Sequence, residues 1–169
     1  MKAITLTQPW ATLVAVGEKR IETRSWKTNY RGSLAIHAAK SFPKNARDIC
    51  LMKPFVQALI EHDYAQAYNH GEPLRLWPEE QPLPFGEIVA ICNLIACVQI
   101  ISKPMRFSSG ILAGVIVPPD EPELSFGDYR PGRWAWILDN VQKLSDPIPA
   151  QGALGLWNCV LDRAPTRDT

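Results

Sequence analysis

Sixteen consecutive residues, Phe85 to Ile100, carry only three polar side chains, Glu87, Asn93 and Gln99. A membrane helix needs about 20 apolar residues, so this run has to be buried inside protein. It is long enough for one strand with a bulge or for two buried strands in succession, and it marks the centre of the core. The chain must fold around it.

Composition agrees with a globular product. The 169 residues fit one domain, and 46% apolar against 21% charged residues excludes the disordered and collagen-like classes. Eighteen Lys and Arg against 17 Asp and Glu leave a formal charge of +1, which excludes binding of nucleic acid through bulk charge. A nucleic-acid partner would need a local patch. Cys50, Cys92, Cys97 and Cys159 form no C-x-x-C pair and sit in mostly apolar company, so they are expected to be reduced core residues, with no metal and no cofactor. The first eight residues lack a signal-like apolar stretch, and no run reaches membrane length. A cytoplasmic location without membrane association is the expectation.

Local patterns divide the chain into short elements. Pro9 to Gly17 predicts a helix with Pro in its first turn and Gly as a left-handed cap. Arg20–Trp26 and Ser33–Ala39 predict two strands that pair as a hairpin or lie as neighbours. Apolar residues between Lys44 and His70 recur at helical spacing, but Pro54 should split them into two helices. Leu74–Pro84 reads as a proline-rich loop, and 103–128 as an irregular insertion in which Ile111–Val117 forms a short strand or helix. Arg133–Asp139 and Gly155–Val160 supply the last strands. Strands without alternating helical crossovers favour a small, mainly antiparallel barrel with appended helices, an α+β fold. No dinucleotide fingerprint, phosphate loop or H-E-x-x-H helix is present.

The densest polar run lies between Lys19 and Arg31, with five cations and one carboxylate. Strand alternation places Arg20, Glu22, Arg24 and Trp26 on one face. A guanidinium fork beside a stacking ring suits a phosphate or nucleobase; a solvated edge strand in which Glu22 neutralises its neighbours is the plainer reading. His37 shares its face with small residues and either lines a cleft or is a hydrogen-bonded structural residue. Glu87, flanked by apolar groups, has to find a cation or raise its pKa; a general base and an ion pair to Lys19 or Arg24 are both compatible with that. Trp134 and Trp136 share a face with Leu138, which makes at least one of them core. Tyr129 and Arg133 border the Pro131-Gly132 turn.

These residues also carry a family resemblance. Gln8-Pro9-Trp10, Gly17-x-Lys19-x-x-Glu22-x-Arg24, Tyr30-Arg31-Gly32 and His37-Ala38 resemble the signature of the ASCH-domain family. Phe85-Gly86-Glu87-Ile88, Phe126–Trp136 and Gly155-Leu156-Trp157-Asn158 are similar to its larger bacterial and phage-type members. The resemblance is spread over most of the chain, read as a single domain over 1–169, and covers poorly the stretches at about 44–80 and 103–125, which look like elaborations. It implies a PUA-like barrel with a cleft between barrel and helix, and RNA or a modified nucleoside as partner. Activities attached to the family include deacetylation of acetylated cytidine and ribonuclease action, so the family does not fix a reaction. Its amidohydrolase branch uses a Lys, a Thr nucleophile and a Glu; Lys19 and Glu87 match, whereas Glu22 stands in the Thr position and alternation turns Thr23 to the opposite face.

The sequence therefore points to a binding cleft formed by Trp10, Arg24, Trp26, Tyr30, His37 and Arg133, around Lys19, Glu22 and Glu87. Arg24 and Lys19 would hold a phosphate or carbonyl oxygen, an indole would stack on a base, and Glu22 or Glu87 would accept from an exocyclic amine. The alternatives are a metal-independent amidohydrolase on acylated cytidine or a related nucleoside, with Lys19, Glu22 and Glu87 as its catalytic group, or a ribonuclease using the same cleft.

Overall fold

A computed structural model of the chain describes residues 1–66, 75–76, 83–101, 110–112 and 115–161, with the backbone alone at 66, 75–76, 110–112 and 115–117. The apolar run becomes one strand, β6 (Glu87–Ile100), and it organises the sheet. Its partner β9 (Trp134–Pro149) follows it antiparallel along its whole length, through three register shifts. Bulges of this kind bend a strand and sharpen its twist, which lets two long strands curve where straight ones would form a flat ribbon.

The other edge of β6 carries β3 (Gly32–Ala38), which in turn pairs parallel with β1 (Lys2–Leu6). β10 (Leu156–Asn158) closes that side against β1, and β2 (Ile21–Arg24) hangs antiparallel from the start of β9. β8 (Val115–Val117) continues the sheet beside the end of β6, with β7 (Gly110–Leu112) outside it. Among the described residues the sheet has eight strands and does not close on itself. The expected α+β architecture is present, and the barrel is an approximate, open one.

Helix α1 (Trp10–Ala15) packs against β1, β3, β6 and β9. Its Ala11, Val14 and Ala15 enter the main core with Leu34, Ile36, Leu94 and Trp136. Gly17, at φ +87°, ends it as expected. The split at Pro54 is also present: α2 (Lys44–Ile49) stops short of it, and α3 (Phe55–Glu61) begins just after it. Phe55 and Ala58 of α3 pack with Leu13 of α1 and Phe126.

The expected pairing of Arg20–Trp26 with Ser33–Ala39 is corrected. Both edges of β3 are taken, by β1 and β6, so β2 has no place there and joins β9 instead. The strand is also shorter than expected, because Trp26 leaves it to pack edge-on against Trp136, with ring centroids 4.7 Å apart. Within the expected loop at 74–84, Arg75–Leu76 forms β5, which pairs with β4 (Ala65–Gln66); residues 77–82 lie outside the described residues. The expectation for Ile111–Val117 resolves into β7 and β8. All four cysteines are free and buried. No helix among the described residues is long and apolar enough to cross a membrane.

Candidate functional site

Two buried polar side chains flank α1, Gln8 before it and Lys19 after it. Gln8, fully buried, accepts from the Thr12 backbone N–H through Oε1 at 3.1 Å and donates through Nε2 to the Pro84 carbonyl at 2.8 Å. It thus satisfies a helix-end donor that would otherwise be orphaned and ties α1 to the entry of β6. Lys19 is 1% exposed. Its ammonium donates to the Ile21 carbonyl and lies 3.8 Å from both Glu22 and Glu123. Burial pulls the Lys19 pKa below its ordinary value, against the raising influence of the two carboxylates.

Glu123 also accepts from the Arg20 backbone N–H at 2.7 Å and from the Tyr129 hydroxyl at 3.0 Å. Burial, with Glu123 alongside, pushes the Tyr129 phenol up, so it remains a donor. A second tie holds the same loop: Thr23 Oγ1 accepts from the Asp128 N–H at 3.0 Å, and Arg133 donates to the Asp128 and Thr23 carbonyls at 3.1 and 3.3 Å. Hydrogen bonds from the Arg130 side chain hold the Asp128 carboxyl down at about 2. The stretch 118–133 therefore clamps β2 from outside.

Alternation along β2 brings Glu22 and Arg24 together, with Arg24 Nε 2.9 Å from Glu22 Oε1. Arg24 then donates through Nη2 to the Thr5 carbonyl at 3.1 Å, spanning from β2 to β1. On one side of it lies a chamber of about 430 Å³, walled by Glu22, Trp10, Phe55, Phe126 and the 125–128 turn. On the other lies a chamber of about 1100 Å³, walled by His37, Lys40, Phe85, Glu87 and the 149–155 loop. Thr5, Thr7 and Arg24 line both.

His37 anchors the second wall. Because the Ala150 carbonyl can only accept, the 3.1 Å contact makes Nε2 the donor. Burial lowers the His37 pKa, which favours the neutral ring. Nδ1 is then an acceptor, and it has no partner among the described residues. Gly152 lies over the ring so closely that a Cβ there would sit 2.6 Å from Nδ1 and 2.9 Å from Thr5 Oγ1.

A family model described as the ASCH domain matches residues 4–147. The chain belongs to the ASCH-domain family. ASCH domains have a PUA-like fold associated with RNA binding. No curated protein matches the chain.

In this ASCH domain the residues singled out from the sequence separate into three groups. Trp10, Glu22 and Arg24 meet in the first chamber, and Arg24, His37 and Glu87 in the second. Lys19 stands behind Glu22 rather than in either chamber. Trp26, Tyr30 and Arg133 line neither: Trp26 and Tyr30 pack on the main core, the Tyr30 hydroxyl donating to the Ser33 carbonyl, and Arg133 is spent on the clamp. Arg20 is exposed. Sequence reasoning missed Glu123, Thr5, Phe126 and Gly152. Nothing in the sequence around Asp120-Glu121 distinguishes Glu123 as the carboxylate of that stretch that reaches Lys19. No cluster of three His, Cys, Asp or Glu side chains among the described residues could hold a metal ion.

Proposed function

We propose that this ASCH domain binds RNA by taking a nucleobase into the first chamber, against Trp10, with Arg24 holding the adjoining phosphate. The observation that carries this reading is the placement of Arg24. Nη2 is held by the Thr5 carbonyl and Nε lies 2.9 Å from Glu22 Oε1 as an ion pair without an aligned hydrogen bond, while Nη1 makes no hydrogen bond among the described residues. A fixed fork with an open donor suits a phosphate oxygen. Trp10 is partly exposed beside it and stands edge-on to Phe55 at 5.8 Å, which holds the indole as a stacking surface. Glu22, also in this wall, offers an acceptor for an exocyclic amine.

The amidohydrolase alternative draws less support. The Lys19 ammonium is enclosed by three acceptors away from both chambers, and Thr23 Oγ1 already accepts the Asp128 N–H. The family's RNA association and the ring-and-fork arrangement favour binding.

The test is titration of the whole chain with a labelled mixed-sequence RNA octamer, read by fluorescence anisotropy. A hydrogen bond to a charged group contributes about 1.5–3 kcal/mol, so Arg24→Ala should weaken binding about tenfold to a hundredfold. Stacking on a ring contributes about 1–3 kcal/mol, and Trp10→Ala should weaken it over a similar range. Affinity should fall as salt rises. Unchanged affinity in both variants, with circular dichroism showing intact folds, would overturn the reading.

A further inference from the structure

The first chamber accounts for one base; the larger chamber beyond Arg24 has no role in that reading. Pockets that hold drug-sized ligands measure about 300–1,000 Å³. The first, at about 430 Å³, lies near the low end, whereas the second, at about 1100 Å³, is larger than a lone phosphate group could fill. The two also differ in charge. Glu22 and Asp128 outnumber Arg24 in the first, while Arg24 and Lys40 outnumber Glu87 in the second. A polyanion entering from the second side meets cations first, and the base beyond Arg24 meets acceptors.

The wall of the second chamber is suited to a nucleoside. Phe85 supplies a ring, tilted against Phe42 with centroids 5.2 Å apart. Lys40 is exposed and lays its stem along Gly86, within 2.8 Å of where a Cβ would stand, so the ammonium is carried at the rim by a held stem. His37 backs this wall, its Nε2 donating to the Ala150 carbonyl and its Nδ1 buried beneath Gly152.

We infer that the second chamber is a further nucleotide subsite, and that the ligand of this ASCH domain is an RNA of at least two nucleotides whose bridging phosphate lies at Arg24. The inference rests on the first-chamber reading and extends it from a base to a dinucleotide step. The shared lining by Thr5, Thr7 and Arg24 makes the two chambers neighbours across one guanidinium, as two bases are neighbours across one phosphate.

The experiment is calorimetric titration of the whole chain with the four ribonucleoside 5′-monophosphates and with ribodinucleoside monophosphates. Each ligand carries one phosphate, and the mononucleotide carries more charge, so electrostatics alone favours the mononucleotide. The expected result is at least one dinucleotide binding tenfold or more tightly than either of its component mononucleotides. Ser41→Trp, which places an indole at an exposed position of the second wall, and Lys40→Ala should each bring that ratio to within about threefold of one. Equal affinity for mononucleotide and dinucleotide in the wild type overturns this inference and leaves the first-chamber reading standing. A tenfold ratio that persists in both variants also overturns it. If no mononucleotide or dinucleotide binds, both readings fall together.

Discussion

Replacing Lys19 by methionine tests whether the buried ammonium is a structural brace. Its attraction to one carboxylate at 3.8 Å is about 4 kcal/mol at an effective dielectric near 20; burial outweighs the pull of both carboxylates, which is why the Lys19 pKa is lowered. The loss on substitution therefore comes from what remains: two carboxylates turned toward a site without a cation. Removing one partner of a buried pair costs about 3–5 kcal/mol. Glu22 and Glu123 keep 11% and 16% of their side-chain surface, and Arg24 still faces Glu22, so the lower end applies, at about 3 kcal/mol. With a urea slope of about 2 kcal/mol/M, the unfolding midpoint should fall by about 1.5 M at pH 7. Adding Glu123→Gln to Lys19→Met should restore part of the loss, whereas Glu123→Gln alone should destabilise. A midpoint within about 0.5 M of wild type, or the same effect of Glu123→Gln in both backgrounds, would refute the brace.

Four further outcomes follow from named contacts. Because burial lowers the His37 pKa from 6.5, the unfolded chain binds the proton more readily, so this residue's contribution to stability is lost as pH falls below that value; an NMR titration placing the ring at or above 6.5 would contradict it. Gly152→Ala puts a methyl against His37 and Thr5 and should cost about 1–3 kcal/mol, with faster hydrogen exchange across 150–155; an unchanged melting temperature would show that the loop yields freely. Gln8→Ala leaves the Thr12 N–H and the Pro84 carbonyl without their partner and should cost about 1–3 kcal/mol, measured by urea denaturation. Burial pushes the Cys50 and Cys92 thiols up to about 12, so neither should react with an aromatic disulfide at pH 8 until the chain unfolds; stoichiometric labelling of the folded protein would contradict their burial.

Local signals were legible where one residue decides the backbone. Gly17 ends α1 and Pro54 divides α2 from α3 because each permits or forbids a particular conformation whatever lies around it. The strand at 87–100 was legible from its apolar content, and Glu22 with Arg24 from alternation alone. Pairing was not legible, because β2 meets β9 across more than a hundred residues and nothing local says that β3 already has both neighbours. The same limit hid the split of the site: Glu22 and Glu87 belong to different chambers, a separation set by where Arg24 reaches Thr5. Trp26 was placed by extending alternation two residues past the end of the strand, where packing on Trp136 takes over.

The dependence of β2 on β9 also sets an order of events during synthesis. Among the described residues the strand bearing Glu22 and Arg24 pairs only with residues 134–137, and its outer clamp comes from Glu123, Asp128 and Arg133. Closing so long a loop has to precede any reward from the contacts it brings. A ribosome-bound chain that has released β1, α1, β3 and most of β6 thus still holds its lysine and arginine-rich segment in the open, without a strand to join. Glu22 and Arg24 are made more than a hundred residues before the strand that holds them, so a nascent chain that stops short of residue 134 has no assembled candidate site.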